Sequence, residues 1–278
     1  MSSKTKKLLI IGGGNMGYAI AYGITKNGIY SKAEVIFLEK KQARIAFLRK
    51  GKYSVFSNLN EVIKKYHKNL ETIIIAVKPA DVSNTLAKLK KVLSEKTLVV
   101  SIAAGIRLQK LASLLSKNSK NQPIARIMPN TPCQVQEGMN VITFNKHVSK
   151  KQRKQILEIF QAIGKTTELE EDKFDLVTAI SGSGPAYFCY LIECLVSTAT
   201  KSGLNSKIAQ ELVLQTALGT MALLAKTNLT PKTLREYVTS PKGTTEAALQ
   251  VFQKSNFYDI VYSAVRAAKE RSKELGKI

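Results

Sequence analysis

Tryptophan is absent from the 278-residue chain, and histidine and cysteine are scarce: His67 and His147, with Cys133, Cys189 and Cys194. Two histidines and three cysteines without metal-ligand or redox spacing argue against a Cys/His zinc centre or a disulfide framework. A reduced, metal-free, cytoplasmic protein is expected. Acidic side chains are also few, 20 Asp+Glu against 43 Lys+Arg, which leaves a formal net charge of +23. Long apolar runs are missing as well. Unbroken runs such as Leu8–Ile11 and Thr72–Val77 fall short of the roughly 18–20 residues of a membrane span. After Lys4, Lys6 and Lys7 the apolar stretch Leu8–Ile11 gives way to glycines, the pattern of a buried strand and not of a secretory signal. No membrane partner is expected.

Such a positive balance suggests nucleic acid or an anionic surface. A nucleic-acid binder gathers its basic residues on one stripe, often with aromatics interleaved. Here the lysines are scattered, with short clusters at Lys4–Lys7, Lys40–Arg44, Lys88–Lys91 and Lys150–Lys154, and aromatics make up 7%. Scatter favours a solvated exterior, so no nucleic-acid partner is expected.

Hydrophobic residues, 44% of the chain, recur throughout, which argues against disorder and for one large domain or two smaller ones. Short Ile/Val/Leu runs at Leu8–Ile11, Glu34–Leu38, Thr72–Val77 and Leu98–Ile102 alternate with helical patterns at Met16–Lys26, Gln42–Lys50, Val82–Val92 and Leu108–Leu115. Buried strands alternating with helices imply a parallel sheet with right-handed crossovers. Ile124–Met128 and Met139–Thr143 add strands, and Lys150–Ile163 a helix. Beyond about Glu168 the patterned strands stop. Helical spacing continues through Phe174–Ile180, Ala186–Thr200, Ser206–Lys226, Thr244–Phe252 and Asp259–Leu275, punctuated by Gly203, Pro231 and Pro241–Gly243. The expected division is an α/β domain over 1–167 and an all-helical domain over 168–278. Phe188–Thr198 is apolar on most helix faces, which suits the heart of a bundle or a subunit interface.

Ile11–Gly17 reads Ile-Gly-Gly-Gly-Asn-Met-Gly, so Gly12-x-Gly14-x-x-Gly17 follows a strand and opens a helix. In that context the motif is a dinucleotide cradle. Gly12 allows the tight turn, Gly14 the approach of a pyrophosphate, and Gly17 close packing of helix on strand. Glu39, 22 residues past Gly17, stands where an acidic side chain usually takes the ribose 2′-hydroxyl, which leans toward NADH. Lys40, Lys41 and Arg44 follow at once and suit a 2′-phosphate equally. The choice between NADH and NADPH stays open.

Four further strings fall at strand ends or helix starts: Ala76-Val77-Lys78-Pro79, Arg126 to Pro132 (RIMPNTP), Ser181 to Tyr187 (SGSGPAY) and Thr239 to Thr245 (TSPKGTT). Lys78 and Pro79 close a parallel strand, where ligands bind in open α/β sheets. Asn130, between two prolines, is either turn chemistry or a carboxamide held at a site's rim. The last string enters a helix with free backbone N–H groups and Ser and Thr hydroxyls, a good anion seat, although capping accounts for one of the hydroxyls.

With the glycine cradle, these strings in this order resemble the signature set of the Δ1-pyrroline-5-carboxylate reductase family over nearly the whole chain. The resemblance implies a Rossmann-type doubly wound α/β sheet followed by an all-α helical dimerisation domain. It implies reduction of 1-pyrroline-5-carboxylate to L-proline with NADPH or NADH, in a homodimer or a higher assembly such as a decamer. By resemblance, the cofactor meets Gly12, Gly13, Gly14, Asn15, Met16, Gly17, Glu39, Lys40, Asn58, Ala76, Val77, Lys78, Pro79, Ala103 and Asn130. The substrate meets Glu171, Ser240, Gly243, Thr244 and Thr245, with the Thr245 hydroxyl at the ring nitrogen as the catalytic candidate. On its residues alone, Glu171 reads as an exposed first-turn carboxylate. Two departures stand out: Lys242 where the family usually has glycine, and Asn228 where many members have Glu. Three rival readings remain: a related imine or 3-hydroxyacid reductase, a nucleic-acid module, and a catalytically silent relative.

Overall fold

The computed structural model describes residues 7–67, 69–90, 93–115 and 121–276. Lys4 and Lys6 of the first lysine cluster, and residues 91 and 92 of the helix expected over Val82–Val92, lie outside them.

The chain alternates β1 (Lys7–Ile11), α1 (Asn15–Lys26), β2 (Val35–Leu38), α2 (Gln42–Lys50), β3 (Ser54–Phe56), α3 (Leu59–Tyr66), β4 (Leu70–Ile75), α4 (Pro79–Leu89), β5 (Leu98–Ser101) and α5 (Leu108–Leu115). Next come β6 (Ile124–Met128), a 3-10 turn (Thr131–Val135), β7 (Gly138–Phe144), α6 (Lys150–Gln161) and β8 (Gly164–Glu168). The eight strands form one sheet in the order β3-β2-β1-β4-β5-β6-β7-β8. Neighbours are parallel except β6 and β7. This is the doubly wound Rossmann arrangement, with a reversal of strand order at β1 and β4.

Strand periodicity explains why β1 is apolar at successive positions. Leu8 and Ile10 join one core, with Ile20 and Ile24 of α1 and Ile159 and Phe160 of α6. Leu9 and Ile11 join the other, with Val62 of α3, Leu86 of α4 and Leu111 of α5. Each of these side chains is almost wholly buried, which is worth about 1.5–3 kcal/mol for a Leu or Ile.

After β8 the chain is helical. A 3-10 turn (Glu171–Lys173) leads into α7 (Phe174–Val177) and a π turn (Thr178–Gly182). Then follow α8 (Gly184–Lys201), α9 (Ser206–Lys226), α10 (Pro231–Tyr237), α11 (Thr244–Lys254) and α12 (Phe257–Leu275). Contacts group residues 1–183 with 268–278 as one unit and 184–267 as the other. In the second unit, Phe188, Tyr190, Leu212 and Leu218 are 61%, 68%, 53% and 66% exposed, so α8 and α9 present uncovered apolar faces. By length and composition alone, Glu171–Lys201 and Ser206–Lys226 would suffice to cross a membrane. No unbroken apolar run marks either helix, because Ser, Thr and Gln interrupt otherwise apolar sequence.

Several boundaries moved. The helix expected from Val82 starts at Pro79, whose fixed φ suits a first helical position. The strand expected over Thr72–Val77 is β4, Leu70–Ile75. Four elements were not anticipated: β3, α3, β8 and α10.

Candidate active site

Three residues separate β1 from α1, and they must turn the chain sharply. Gly12 does so at φ +102°, where a side chain would be strained and a Cβ would stand 2.5 Å from the Ala76 carbonyl oxygen. A Cβ on Gly17 would collide with the Gly12 carbonyl. Gly14 differs: it caps α1 without a side-chain hydrogen bond, and a Cβ there would meet nothing within 4 Å. The first turn of α1 therefore offers N–H groups to open space, which fits a dinucleotide's pyrophosphate. Asn15 is exposed beside it, and Met16 packs partly against the α1 and α6 core.

Because β1 to β6 run parallel, their carboxyl ends share one edge of the sheet. That edge collects Gly12–Gly14 after β1, Glu39 and Lys40 after β2, Asn58 after β3, Ala76–Lys78 after β4, Ala103 after β5 and Asn130 after β6. Lys78 is exposed as the N-cap of α4, with Pro79 at its first position. Asn58 caps α3, its Oδ1 accepting from the Asn60 N–H at 2.9 Å. Ala103 is buried, 5% exposed, and donates its N–H to Ser101 Oγ at 3.3 Å.

Glu39 is more committed than its position suggested. Oε2 accepts from the Gly13 N–H at 2.7 Å, and Oε1 from the Lys40 and Lys41 N–H groups at 2.7 and 2.9 Å. Burial acts to raise its pKa, but these hydrogen bonds and the Arg44 charge outweigh it and hold the carboxyl below its usual range. Arg44 Nε donates to the Gly13 carbonyl at 2.8 Å.

Asn130 uses both ends of its carboxamide: Oδ1 accepts from the Met139 N–H at 2.8 Å and Nδ2 donates to the Ser181 carbonyl at 3.1 Å. It thus ties the double-proline turn to β7 and to the π turn, a helix distortion common at functional sites. Glu171 is also engaged. Its Oε1 accepts from Arg126 Nη1 at 2.9 Å and from the Leu108 N–H at 2.7 Å, at the start of α5. Arg126, 3% exposed, stacks on Phe174 with its guanidinium carbon 4.7 Å from the ring centre. Burial draws its pKa below the usual guanidinium range, and the hydrogen bond and charge of Glu171 oppose that. Asp175 extends the cluster, accepting from Ser272 Oγ at 2.8 Å and pairing with Arg107 at 3.5 Å. In the sequence Arg126 lies inside the RIMPNTP string with no role of its own, and Arg107, Asp175 and Ser272 belong to no motif. The basic residue buried in β6 was the available signal.

In the second unit, Ser240 to Gly243 turn into α11. Gly243 caps the helix with no side-chain hydrogen bond, leaving first-turn N–H groups open. The hydroxyls of Thr244 and Thr245 take no partner among the described residues; Thr244 is exposed and Thr245 half-buried. Lys242 adopts φ +60°, the left-handed conformation a glycine there would adopt freely. Its N–H donates to Glu246 Oε2 at 2.7 Å. Among the described residues no cluster of three or more His, Cys, Asp or Glu could hold a metal ion.

Residues 171–275 match the family described as pyrroline-5-carboxylate reductase dimerisation, and residues 7–105 that described as NADP oxidoreductase, coenzyme F420-dependent. The chain is 40% identical over 271 residues to the pyrroline-5-carboxylate reductase of Synechocystis sp., covering 98% of each. It is 35% identical to that of Pseudomonas aeruginosa, again over 98% of each. Among solved structures it resembles Plasmodium falciparum pyrroline carboxylate reductase with NADP bound, at a TM-score of 0.85 and 32% identity, covering 99% of this chain and 100% of that one. The Coxiella burnetii pyrroline-5-carboxylate reductase gives a TM-score of 0.88 and 33% identity at the same coverage.

Proposed function

The chain belongs to the pyrroline-5-carboxylate reductase family, and on that premise we propose how its residues turn 1-pyrroline-5-carboxylate into L-proline with NAD(P)H. When bound, the reduced nicotinamide supplies the hydride that adds to C5 of the cyclic imine. The protein's part is to bind and orient. Gly12, Gly13, Gly14, Asn15, Met16 and Gly17 cradle the pyrophosphate, and Lys40, Asn58, Ala76–Pro79, Ala103 and Asn130 line the cofactor's path along the sheet edge.

The observation that carries the substrate assignment is the α11 N-terminus, which has no side-chain cap and bears two hydroxyls without partners among the described residues. Ser240, Gly243, Thr244 and Thr245 receive the substrate carboxylate there, aided by the helix dipole. A protonated imine is already electrophilic, so no separate acid is required. The Thr245 hydroxyl hydrogen-bonds the ring nitrogen and holds the imine in place. Glu171 is a further substrate-binding candidate, held in the first unit by Arg126.

Residues 1–167 serve the cofactor and 168–278 the substrate and self-association. The exposed apolar faces of α8 and α9 are covered by a second copy, giving a homodimer or a larger assembly in the cytoplasm. Steady-state oxidation of NADPH and NADH with pyrroline-5-carboxylate tests the reading. Thr245→Ala is expected to stay folded and to lower kcat/KM for the imine. Wild-type protein without turnover on either cofactor would remove the reading.

A further inference from the structure

The loop between β5 and α5, residues 102–107, is short and held at several points. Near its start lies Ala103, and at its end Arg107 meets Asp175 Oδ2 at 3.5 Å. Leu108, which opens α5, donates its N–H to Glu171 at 2.7 Å. Between them Gly105, at φ +80°, lies backbone against backbone with the end of α12. A Cβ on Gly105 would stand 3.1 Å from the Gly276 nitrogen, and one on Gly276 would stand 2.7 Å from the Gly105 carbonyl oxygen. Glycine on both sides makes this approach possible. The last turn of α12 belongs with the first unit, and the buried residue of that helix is a serine, Ser272, with Glu270, Arg271 and Glu274 exposed around it. A buried hydroxyl needs a partner, and Ser272 Oγ donates to Asp175 Oδ1 at 2.8 Å. Asp175 therefore holds α12 with one oxygen and the β5–α5 loop with the other.

We propose that the last turn of α12, through Ser272 and Gly276, is a positioning element that sets the β5–α5 loop for the nicotinamide half of the cofactor. The inference rests on the reductase reading above. Sheet order gives the direction. The pyrophosphate lies over the glycine turn after β1, with the adenosine half toward β2. The nicotinamide half then extends to the other side of β1, toward β4 and β5. A loop held at its middle by Gly276 and at its end by Asp175 and Glu171 keeps Ala103 in one place, so the nicotinamide meets a fixed wall. Ser272 and Gly276 act through Asp175, Arg107 and Gly105, and hydride transfer is sensitive to small displacements of the ring that this loop borders.

Two measurements on the full-length protein test the proposal: steady-state kinetics with whichever reduced cofactor the wild type turns over faster, and calorimetry with the matching fragment that lacks nicotinamide, ADP-ribose or 2′-phospho-ADP-ribose. Ser272→Ala removes the hydroxyl, and Gly276→Ala forces the helix end away from the loop. Each should raise KM for the reduced cofactor at least threefold and lower kcat at least fivefold, while affinity for the fragment changes less than twofold. Loss of folded protein alone would lower kcat and leave KM where it was. Arg271→Ala, exposed on the same turn, should stay within twofold of wild type throughout. Missing either threshold in either variant, a fragment affinity weakened twofold or more, or an Arg271→Ala outside its range overturns the proposal and leaves the reductase reading standing. If Ser272→Ala does not fold, Gly276→Ala decides. Wild-type protein without turnover on either cofactor would remove the reductase reading and the proposal with it.

Discussion

Glu171 is assigned to the substrate by resemblance, yet its carboxylate braces a buried arginine, and Glu171→Ala separates the two roles. The substitution leaves the Arg126 guanidinium, its side chain 4% exposed, without its anionic partner. Breaking a buried pair this way costs about 3–5 kcal/mol. The Glu171 side chain is 27% exposed, so water softens the loss. The Leu108 N–H also loses its acceptor, a loss comparable to removing a helix cap, about 1 kcal/mol. A destabilisation of about 3 kcal/mol follows. Glu171→Gln keeps an acceptor oxygen for both donors and should lose about 1–2 kcal/mol. Urea unfolding at one fixed protein concentration measures both, because self-association raises apparent stability. A Glu171→Ala loss below about 1 kcal/mol would refute the clamp. Were the carboxylate mainly a substrate ligand, Gln would raise KM for the imine as much as Ala, and neither would move the urea midpoint.

Gly12→Ala forces a Cβ to 2.5 Å from the Ala76 carbonyl oxygen at φ +102°. It should cost about 2–4 kcal/mol of stability and abolish measurable dinucleotide binding, read by thermal melting and calorimetry. Lys242→Gly relieves a left-handed lysine at φ +60° but adds chain entropy to the unfolded state; a net gain of about 0.5–1 kcal/mol in thermal melting is expected. Glu39 has a depressed carboxyl pKa. Its stabilising contribution is therefore complete above the ordinary value near 4.5 and fades as pH falls through the lower folded value. Melting curves of wild type and Glu39→Gln should differ at pH 6, and the gap should narrow as pH falls below about 4.5; a constant gap would contradict the assignment.

The fold was legible where periodicity is long and unambiguous. The Ile/Val/Leu strands of the parallel sheet and the amphipathic spacing of α6 are visible because burial on both faces, or on one helical stripe, imposes them. What escaped was short or polar. β3 is three residues long, and β8 reads Gly-Lys-Thr-Thr-Glu at the sheet's edge, where half its side chains face water. α10 was hidden by Pro231, read as punctuation although Thr230 caps the helix and the proline begins it. For the site, the glycine cradle was plain, since its spacing follows from backbone geometry. The bonds of Glu39 to Gly13 and of Glu171 to Arg126, 26 and 45 residues apart, were not. A carboxylate facing a ligand and one facing a backbone N–H leave the same letter in a sequence.

The central claim is hydride transfer to the imine carbon, and isotope tracing tests it most directly. Incubation with pyrroline-5-carboxylate and NADPH or NADH carrying deuterium at C4, on the transferred face, should give L-proline with one deuterium at C5. Mass spectrometry and proton NMR locate the label. Proline without the label, or oxidised cofactor without proline, would contradict the account.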